Sequence, residues 1–422
     1  MPPPDDASRI TDARLAALER RIAETYREAR DSLSETVRAY FDRFRERDAE
    51  MKKLIGTKIR GRVWTEADYK KWRLNQIARG KNFEELRDAM AERYTRAHEI
   101  ALDYLNADAP EIYALNYNRE LWHMDTFTNG ALSIDQSTDA DGAVSGHVRE
   151  GFAVLDEREQ TLKRLISEQP DIMPYYPRAK AVARGIDLDY GKSQITKVVT
   201  SAILQGKSIP HIADDLQERI ETMSRVSAVR AARTGFTEAQ NAGRQAAAEA
   251  AAKIGVKSRK RWACLKDHRT RHAHQKADGQ IVDVDKPFDV GGEKLMFPGD
   301  KSLGASGWNL YNCRCQCLSD EGNFQKRKIA VQTPEYTRAI LAEERGKKRL
   351  EQARKREQEA QDPDERKALR RKRLAIEKEV RALSETRRGT EKYIDVQHMT
   401  YKQWAEWVAS GKTYSEWKAG VK

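Results

Sequence analysis

Three of the four cysteines in this 422-residue chain lie on alternate positions of the stretch LYNCRCQC, residues 310–317. The fourth cysteine and a histidine precede them, which makes available the thiolate and imidazole ligands that zinc prefers. A tetrahedral Cys3His site would use Cys264, His274, Cys313 and Cys315. The spacing weakens this prediction, because alternate cysteines in a strand share one face and structural zinc sites more often separate cysteines by two residues. Buried free thiols, a reactive thiol or an assembly-linked disulfide remain open as alternatives.

Charged residues around the histidine suggest a second kind of chemistry, a hydrolytic or nuclease centre with the histidine as general base. Its candidate members are Asp267, Arg269, Arg271, His274 and Asp300. The sequence offers no second carboxylate pair, phosphate-binding glycine loop or nucleophile elbow to complete such a centre. The alternative is structural, with aspartates that cap turns and arginines that pair with them or with main-chain carbonyls. We therefore predict no catalytic residues and keep a metal-dependent nuclease or hydrolase on residues 255–320 as the alternative function.

These groups lie in a segment with strand and turn character. From residue 257 to about 320 glycines are concentrated, helical periodicity is lost and short apolar runs suggest strands joined by turns. The sequence predicts a small Gly-rich α+β module near residues 255–320, which helices from residue 191 onward join to form a domain, 191–320. The first two of these helices resemble a helix-turn-helix. The buried face of a helix bundle explains the same pattern through Ile195, Val199, Ile203, Ile212 and Leu216.

The N-terminal region has the periodicity of long helices. Apolar or small residues recur in steps of three and four from Leu15 to Phe44, so the first helix needs a partner surface in this chain or another. Thr65 and Asp68 predict the N-cap of a later helix. Residues 1–130 are therefore predicted to form an all-helical bundle.

Glycine and proline mark the boundaries within and after this bundle. Gly80 predicts a break between two helices, and Pro110 predicts the start of another. A stretch rich in Gly, Ser and Asp and the later segment IMPYYPRA lie in residues 131–190. We predict a linker and irregular segment there.

The region after the module is strongly charged. Residues 321–397 are predicted to form a helical arm, in which residues 340–390 carry 17 Lys and Arg against 11 Asp and Glu, a net charge of +6. One interpretation is a solvated single helix or coiled coil; the other is weak, sequence-independent contact with the phosphates of double-stranded DNA. The candidate DNA-contacting residues are Arg370, Arg371, Lys372 and Arg373.

The last segment, residues 398–422, is rich in aromatic residues. Trp404, Trp407 and Trp417 lie close together in an otherwise polar tail. We predict an aromatic anchor that docks onto a partner or onto the body of the protein.

The composition limits the class of protein. Hydrophobic residues make up 39% of the chain and charged residues 34%, with a formal net charge of +12. This favours a mainly α protein with solvated helices and an anionic partner. No stretch approaches the roughly 20 apolar residues that span a bilayer, and the first residues lack the pattern of a secretory signal. The sequence therefore predicts a cytoplasmic setting, in which stable disulfides are rare.

The motif residues of the module form three ordered clusters, the first in residues 262–279, the second in residues 298–300 and the third in residues 312–315. In this order and spacing they resemble the phage head morphogenesis family, the minor head proteins similar to the F protein of phage Mu. The matching residues are Trp262, Asp267, Arg269, Thr270, Arg271, His274, Asp278, Gly279, Pro298, Gly299, Asp300, Asn312, Cys313, Arg314 and Cys315. The preceding stretch ARTGFTEAQNAGR is also similar, and the resemblance covers about residues 190–320. Lys276, Ala277 and the extra Cys317 depart from the family pattern.

This resemblance implies a structural minor head, or minor capsid, protein of a tailed bacteriophage. Such a protein associates with the portal protein or the inner capsid surface during head assembly, and contact with packaged DNA is a further implication. The resemblance implies no enzyme activity and no cofactor other than the zinc considered above. It implies assembly in the host cytoplasm and a final location inside the virion head, with no membrane partner.

Overall fold

The computed structural model of the chain is mainly α, as predicted. Its strands are short and form small sheets of two or three strands. Most of the predicted irregular segment, including IMPYYPRA, lies outside the residues that the structure describes. The described residues are 6–135, 143–144, 146–155, 188–256, 258–320, 322, 330–331, 334–390, 392–393 and 395–420.

Long helices form the N-terminal region. The apolar stripe of the first helix is buried from Leu18 to Tyr40, so its partner surface lies in this chain. A two-stranded hairpin follows, and its turn residues Arg60 and Gly61 have φ angles of 48° and 79°, as a tight hairpin turn requires. The elements are α1 (Asp6–Asp42), α2 (Arg45–Lys53), β1 (Lys58–Ile59), β2 (Arg62–Val63), α3 (Glu66–Ile77) and α4 (Lys81–Phe127).

The predicted cap at Thr65 is confirmed, whereas the predicted helix start at Pro110 is wrong. The Thr65 side chain accepts a hydrogen bond from the Asp68 main-chain N–H, and Asp68 returns the contact in a capping box. Pro110 lies inside α4. Its neighbours Ala109 and Ile112 are fully buried, and this packing outweighs the roughly 3 kcal/mol that an internal proline costs a helix.

Two further helices lead into the motif region. The helices α5 (Leu188–Leu204) and α6 (Ile209–Lys253) replace the short helix pair that resembled a DNA-reading motif. All five apolar residues assigned to a bundle core are buried, which agrees with the packing interpretation.

The motif residues lie in a small α+β module after α6. The elements are β4 (Arg259–Ala263), α7 (His272–Ala277), β5 (Ile281–Asp283), β6 (Phe288–Val290), β7 (Glu293–Leu295), α8 (Gly307–Leu310) and β8 (Gln316–Asp320). Strand β4 is the centre of a three-stranded sheet of order β5–β4–β8, and β6 pairs with β7 as an antiparallel hairpin with Phe288 opposite Leu295.

The chain divides into two compact units, and each unit combines segments that are far apart in the sequence. Unit 1 comprises Met1–Tyr117, Asp156–Ala246 and Lys260–Leu318, and unit 2 comprises Asn118–Leu155, Ala247–Arg259 and Ser319–Lys422. Unit 1 thus combines N-terminal helices with the motif module. Composition changes along the chain do not reveal such groupings, because packing joins distant segments.

Unit 2 contains the charged arm and the aromatic tail. The arm is a hairpin of two antiparallel helices, and Asp362 caps the second of them by accepting a hydrogen bond from the Glu365 N–H at 2.9 Å. Three short strands, Ala143–Val144, Ala330–Val331 and Lys392–Tyr393, form a separate sheet. The elements are β3 (Ala143–Val144), β9 (Ala330–Val331), α9 (Pro334–Glu359), α10 (Pro363–Thr390), β10 (Lys392–Tyr393), α11 (Tyr401–Ser410) and α12 (Tyr414–Gly420).

Among the described helices, none combines the length and apolar character needed to span a membrane.

Candidate functional site

The three motif clusters meet around one small core in unit 1. Trp262 is fully buried and packs edge-on against His274 and Phe288, with ring centroids 5.6 and 5.3 Å apart. All four cysteines contribute to the same core and are free thiols. The chain therefore folds these motifs into one site.

Asp267 and Arg314 join the first cluster to the third. The Arg314 guanidinium donates to both carboxylate oxygens of Asp267, at 2.6 and 2.8 Å. The same carboxylate accepts hydrogen bonds from the Thr270 hydroxyl and the Arg269 main-chain N–H. Arg314 is the main reason that the pKa of Asp267 lies far below its usual value. Asp267 is thus a permanently charged clamp, unsuited to proton transfer near neutral pH.

Asp278 and Gly279 fix the turn between α7 and the sheet. The Asp278 carboxylate accepts the Cys264 main-chain N–H at 2.8 Å and pairs with Lys266 at 2.7 Å. Gly279 has a φ of 80° and donates its N–H to the Trp262 carbonyl. The aspartate and glycine of this motif therefore have structural roles.

The Pro-Gly-Asp cluster is a tight turn against α6. Asp300 is buried and accepts main-chain N–H groups of Met296 and Ser302, both at 2.8 Å. Gly299 has a φ of 94°, and a Cβ atom there would lie 3.0 Å from the Glu238 Cα. Only glycine suits both this conformation and this approach.

One face of α6 holds the second and third clusters. The Asn241 side-chain amide donates to the Pro298 and Cys315 carbonyls, each at 3.1 Å, and its oxygen accepts the Cys317 N–H at 2.7 Å. Two threonines on the same face bind the third cluster as well. Thr237 donates to the Cys313 carbonyl at 2.6 Å.

The second threonine, Thr234, accepts the N–H of Asn312 at 3.1 Å. Asn312 has a φ of 52°, a left-handed conformation that asparagine tolerates better than most residues. The roles of Thr234, Thr237 and Asn241 were not predicted. Their spacing of three and four residues within ARTGFTEAQNAGR is the signal that would have revealed them.

Three of the four predicted metal ligands lie together. The ligand atoms of His274, Cys313 and Cys315 are all within 4.8 Å of one another, and all three residues are buried. Cys264 does not join them. Its main-chain N–H donates to the Asp278 carboxylate, and its sulfur lies outside the group of three ligand atoms.

The two cysteines of this group influence each other strongly. A hydrogen bond between the thiols lowers the pKa of Cys313 well below its ordinary value, and the same interaction, with burial, raises the pKa of Cys315.

The Nδ1 atom of His274 lies 3.3 Å from the Cys315 sulfur and 3.6 Å from the Cys313 sulfur. Asn309, which the sequence analysis missed, contacts the other ring nitrogen, Nε2, through its Oδ1 at 3.2 Å. The imidazole is thus held between the two thiols and one amide.

The predicted docking residues in the tail are mostly internal to unit 2. Trp404 and Trp407 are fully buried, and the Trp404 indole N–H donates to the Asp125 carboxylate at 2.8 Å. Trp407 packs edge-on against Tyr414 at 5.7 Å. These two tryptophans therefore anchor the tail within the protein, which agrees with the second of the two alternatives left open by the sequence, docking onto the body. Trp417 is half-buried.

The predicted DNA-contacting residues fall into two groups. Arg370, Arg371 and Lys372 are exposed on α10. Arg373 pairs with Glu357 of α9 at 2.7 Å and with Glu377 at 2.8 Å. Its charge is engaged within the hairpin, so it is a poor candidate for a phosphate contact.

The comparison with protein families agrees with the resemblance seen in the motifs. The family model described as Phage Mu protein F like protein matches residues 193–318. This confirms, for that segment, a relationship to the phage head morphogenesis family.

Three curated relatives each match between 124 and 126 residues of this chain. The chain is 33% identical over 124 residues to NAD(+)–arginine ADP-ribosyltransferase EFV of Enterococcus faecalis, covering 29% of this chain and 25% of that protein. It is 32% identical over 126 residues to Minor head protein GP7 of Bacillus phage SPP1, covering 30% of this chain and 39% of that protein. It is 30% identical over 125 residues to YqbB of Bacillus subtilis, covering 29% of this chain and 39% of that protein.

The chain thus spans well under half the length of each of these relatives. Among solved structures there is no significant match.

Proposed function

We propose that this chain, whose residues 193–318 match the Phage Mu protein F like family, is a structural minor head protein of a tailed bacteriophage. One observation carries the proposal: the motif side chains bind one another and the face of α6. Asp267, Asp278 and Asp300 all accept structural hydrogen bonds. The motif therefore serves as a folded platform, as expected of an assembly protein.

The partner is the portal protein or the inner capsid surface, and α8 offers a suitable contact. Trp308 and Tyr311 are 71% and 54% exposed. The Arg271 guanidinium lies over the Trp308 ring at 5.7 Å and donates to the Tyr311 carbonyl. Tryptophan, tyrosine and arginine are the residues most enriched at interface hot spots. We call these three residues the aromatic ridge.

Incorporation into phage heads tests this proposal. Heads assembled with Trp308→Ala and Tyr311→Ala should contain at least tenfold less of the chain, because each large hot-spot residue contributes about 2 kcal/mol or more. Leu341→Ala with Leu374→Ala is the matched control, since both leucines are similarly exposed on the arm. Normal incorporation of the ridge variant, or equal loss in both variants, would remove the ridge as the contact. Absence of the unmodified chain from heads would contradict the function itself.

Contact with packaged DNA is a second element of the proposal and rests on the arm. Its exposed cations are Arg370, Arg371 and Lys372, on a helix hairpin with a net charge of +6 over residues 340–390. Such a surface fits phosphates without reading bases. The expected location is the interior of the virion head, after assembly in the host cytoplasm.

The alternative is a nuclease or hydrolase on the module. The ADP-ribosyltransferase activity named for one relative belongs to that protein, of which the match covers 25%. Purified protein should release no nucleotides from DNA with Mg²⁺, Mn²⁺ or Zn²⁺. Turnover that His274→Ala abolishes in a folded variant would establish the alternative.

A further inference from the structure

We propose that His274, Cys313 and Cys315 bind one zinc ion through Nδ1 and the two Sγ atoms. The N···S distances are 3.3 and 3.6 Å. A tetrahedral zinc site, with Zn–N of about 2.0–2.1 Å and Zn–S of about 2.3 Å, places nitrogen and sulfur roughly 3.5 Å apart. The three groups therefore already have the spacing of a bound site. This inference is independent of the proposed role in phage heads.

A chain of hydrogen bonds orients the histidine for this role. The Asn309 amide nitrogen donates to the Val290 carbonyl at 3.1 Å and to Glu293 at 2.8 Å. This leaves the Asn309 oxygen facing Nε2 of His274 at 3.2 Å, so Nε2 must carry the proton. The lone pair of His274 is then on Nδ1, between the two sulfurs. Metal-binding histidines usually have such a second partner, which fixes the tautomer and the ring orientation.

The surroundings of the sulfurs also suit bound thiolates. The main-chain N–H of Cys315 is directed to the Cys313 sulfur at 3.4 Å. The Trp262 indole nitrogen is buried without a hydrogen-bond partner among the described residues, and Trp262 packs in the same core as Cys315. Metal-bound sulfur is a good acceptor for both groups, and hydrogen bonds of this kind stabilise metal centres.

The space beside the three ligands fits one small fourth ligand. A cavity of about 10 Å³ adjoins them and is also lined by Arg271, Asn312 and Arg314. This volume is close to the roughly 10–15 Å³ minimum that a single water needs. His274, Asn309 and a cysteine could also be compared with the Cys–His–Asn group of a cysteine nucleophile. A substrate could not reach the sulfur here, because Cys313 and Cys315 are at least 97% buried. The fourth position is therefore expected to hold water.

The test is the metal content of the full chain, purified without chelator and dialysed against Zn²⁺. We expect close to one zinc ion per chain and, after exchange with Co²⁺, a thiolate-to-cobalt charge-transfer band. Cys313→Ser and Cys315→Ser should each lose the metal and the band. Cys317→Ser is the matched control: Cys317 is equally buried and belongs to the same core but lies outside the ligand group. Cys264→Ser should also retain the metal.

Asn309 provides a separate check on positioning. Asn309→Leu should weaken zinc affinity by about 10–100-fold, the usual cost of losing such a partner. An unmodified chain that takes up no zinc or cobalt would overturn the proposal without reference to any variant. Equal loss of metal from Cys313→Ser and Cys317→Ser, with both variants folded, would overturn it as well.

Discussion

The motif module and the charged arm use polar residues in opposite ways. In the module, buried polar side chains make specific hydrogen bonds that no neighbouring residue repeats. Examples are His274, Asn309 and Asp300. In the arm, exposed charges repeat along two helices and pair across the hairpin, as Arg349 does with Glu379. This difference explains why the module can be recognised from specific residues at fixed spacings. The sequence of the arm shows only a high content of charged residues.

The energetic consequence follows from burial. A buried donor or acceptor that loses its partner costs about 1–3 kcal/mol, whereas an exposed ion pair contributes at most about 1 kcal/mol. Substitutions in the module should therefore cause a large loss of stability that depends on the residue changed. Substitutions of exposed charges in the arm should each cause a small loss of similar size.

The largest effect is expected at Asn241. Asn241→Leu removes hydrogen bonds to the Pro298 carbonyl, the Cys315 carbonyl and the Cys317 N–H. The free energy of unfolding of unit 1 should fall by about 3–5 kcal/mol. Urea unfolding with hydrogen exchange of the module amides measures this. Asn75→Ala on the exposed face of α3 is the control, with a change within about 0.5 kcal/mol.

Gly299→Ala should have the next largest effect. The new Cβ would lie 3.0 Å from the Glu238 Cα, which is main chain and cannot swing away. Gly292→Ala is a matched control, because Gly292 has a similar φ of 88° but open space around it. In both variants an alanine in the left-handed conformation lowers the free energy of unfolding by roughly 1–2 kcal/mol. Only in Gly299→Ala does the steric clash lower it by about 1–3 kcal/mol more. Equal melting temperatures for the two variants would refute this close approach.

A smaller effect is expected at Glu343, a buried acid of the arm. Glu343 is 5% exposed and accepts hydrogen bonds from Ser384 at 2.9 Å and Arg387 at 2.7 Å. Glu343→Ala should raise the hydrogen-exchange rate of α9 and α10 amides by an amount equivalent to about 1 kcal/mol. The adjacent exposed Glu344→Ala should leave these rates nearly unchanged. A global loss of stability in Glu343→Ala would mean that the arm is more than a hairpin of local pairs.

The smallest effect concerns DNA affinity. With about four to six phosphates neutralised, log K for duplex DNA should fall with log salt at a slope of roughly −4 to −5. Changing Arg370, Arg371 and Lys372 to Gln should flatten the slope by about 0.9 per lost contact, without any sequence preference. Arg373→Gln is the control, since Arg373 is already paired with Glu357. No retention of DNA at low salt would remove this function from the arm.

Local patterns in the sequence predicted much of this fold. The buried stripe of α1 and the cap at Thr65 depend on neighbours within a few residues, and the structure contains both. The same applies to the position of the α+β module, where glycine density replaces helical periodicity.

Contacts between distant residues were beyond the reach of these patterns. The tail tryptophan Trp404 binds Asp125, 279 residues earlier, so its burial is invisible in the tail alone. Pro110 stays helical because of its packing. In the site, Cys264 matched the ligand type but lies outside the group of three ligand atoms, and Asn309 contacts His274 from outside the motif. Residue types predicted the chemistry, and only the fold determined which of them meet.

The most direct test of the proposed structural role is the protein content of purified mature phage heads that were assembled with this chain. Quantitative mass spectrometry should find the chain at few copies per head, protected from protease in intact heads and released when they are opened. Absence of the chain from heads, together with DNA-cleaving activity of the free protein in the lysate, would contradict the account.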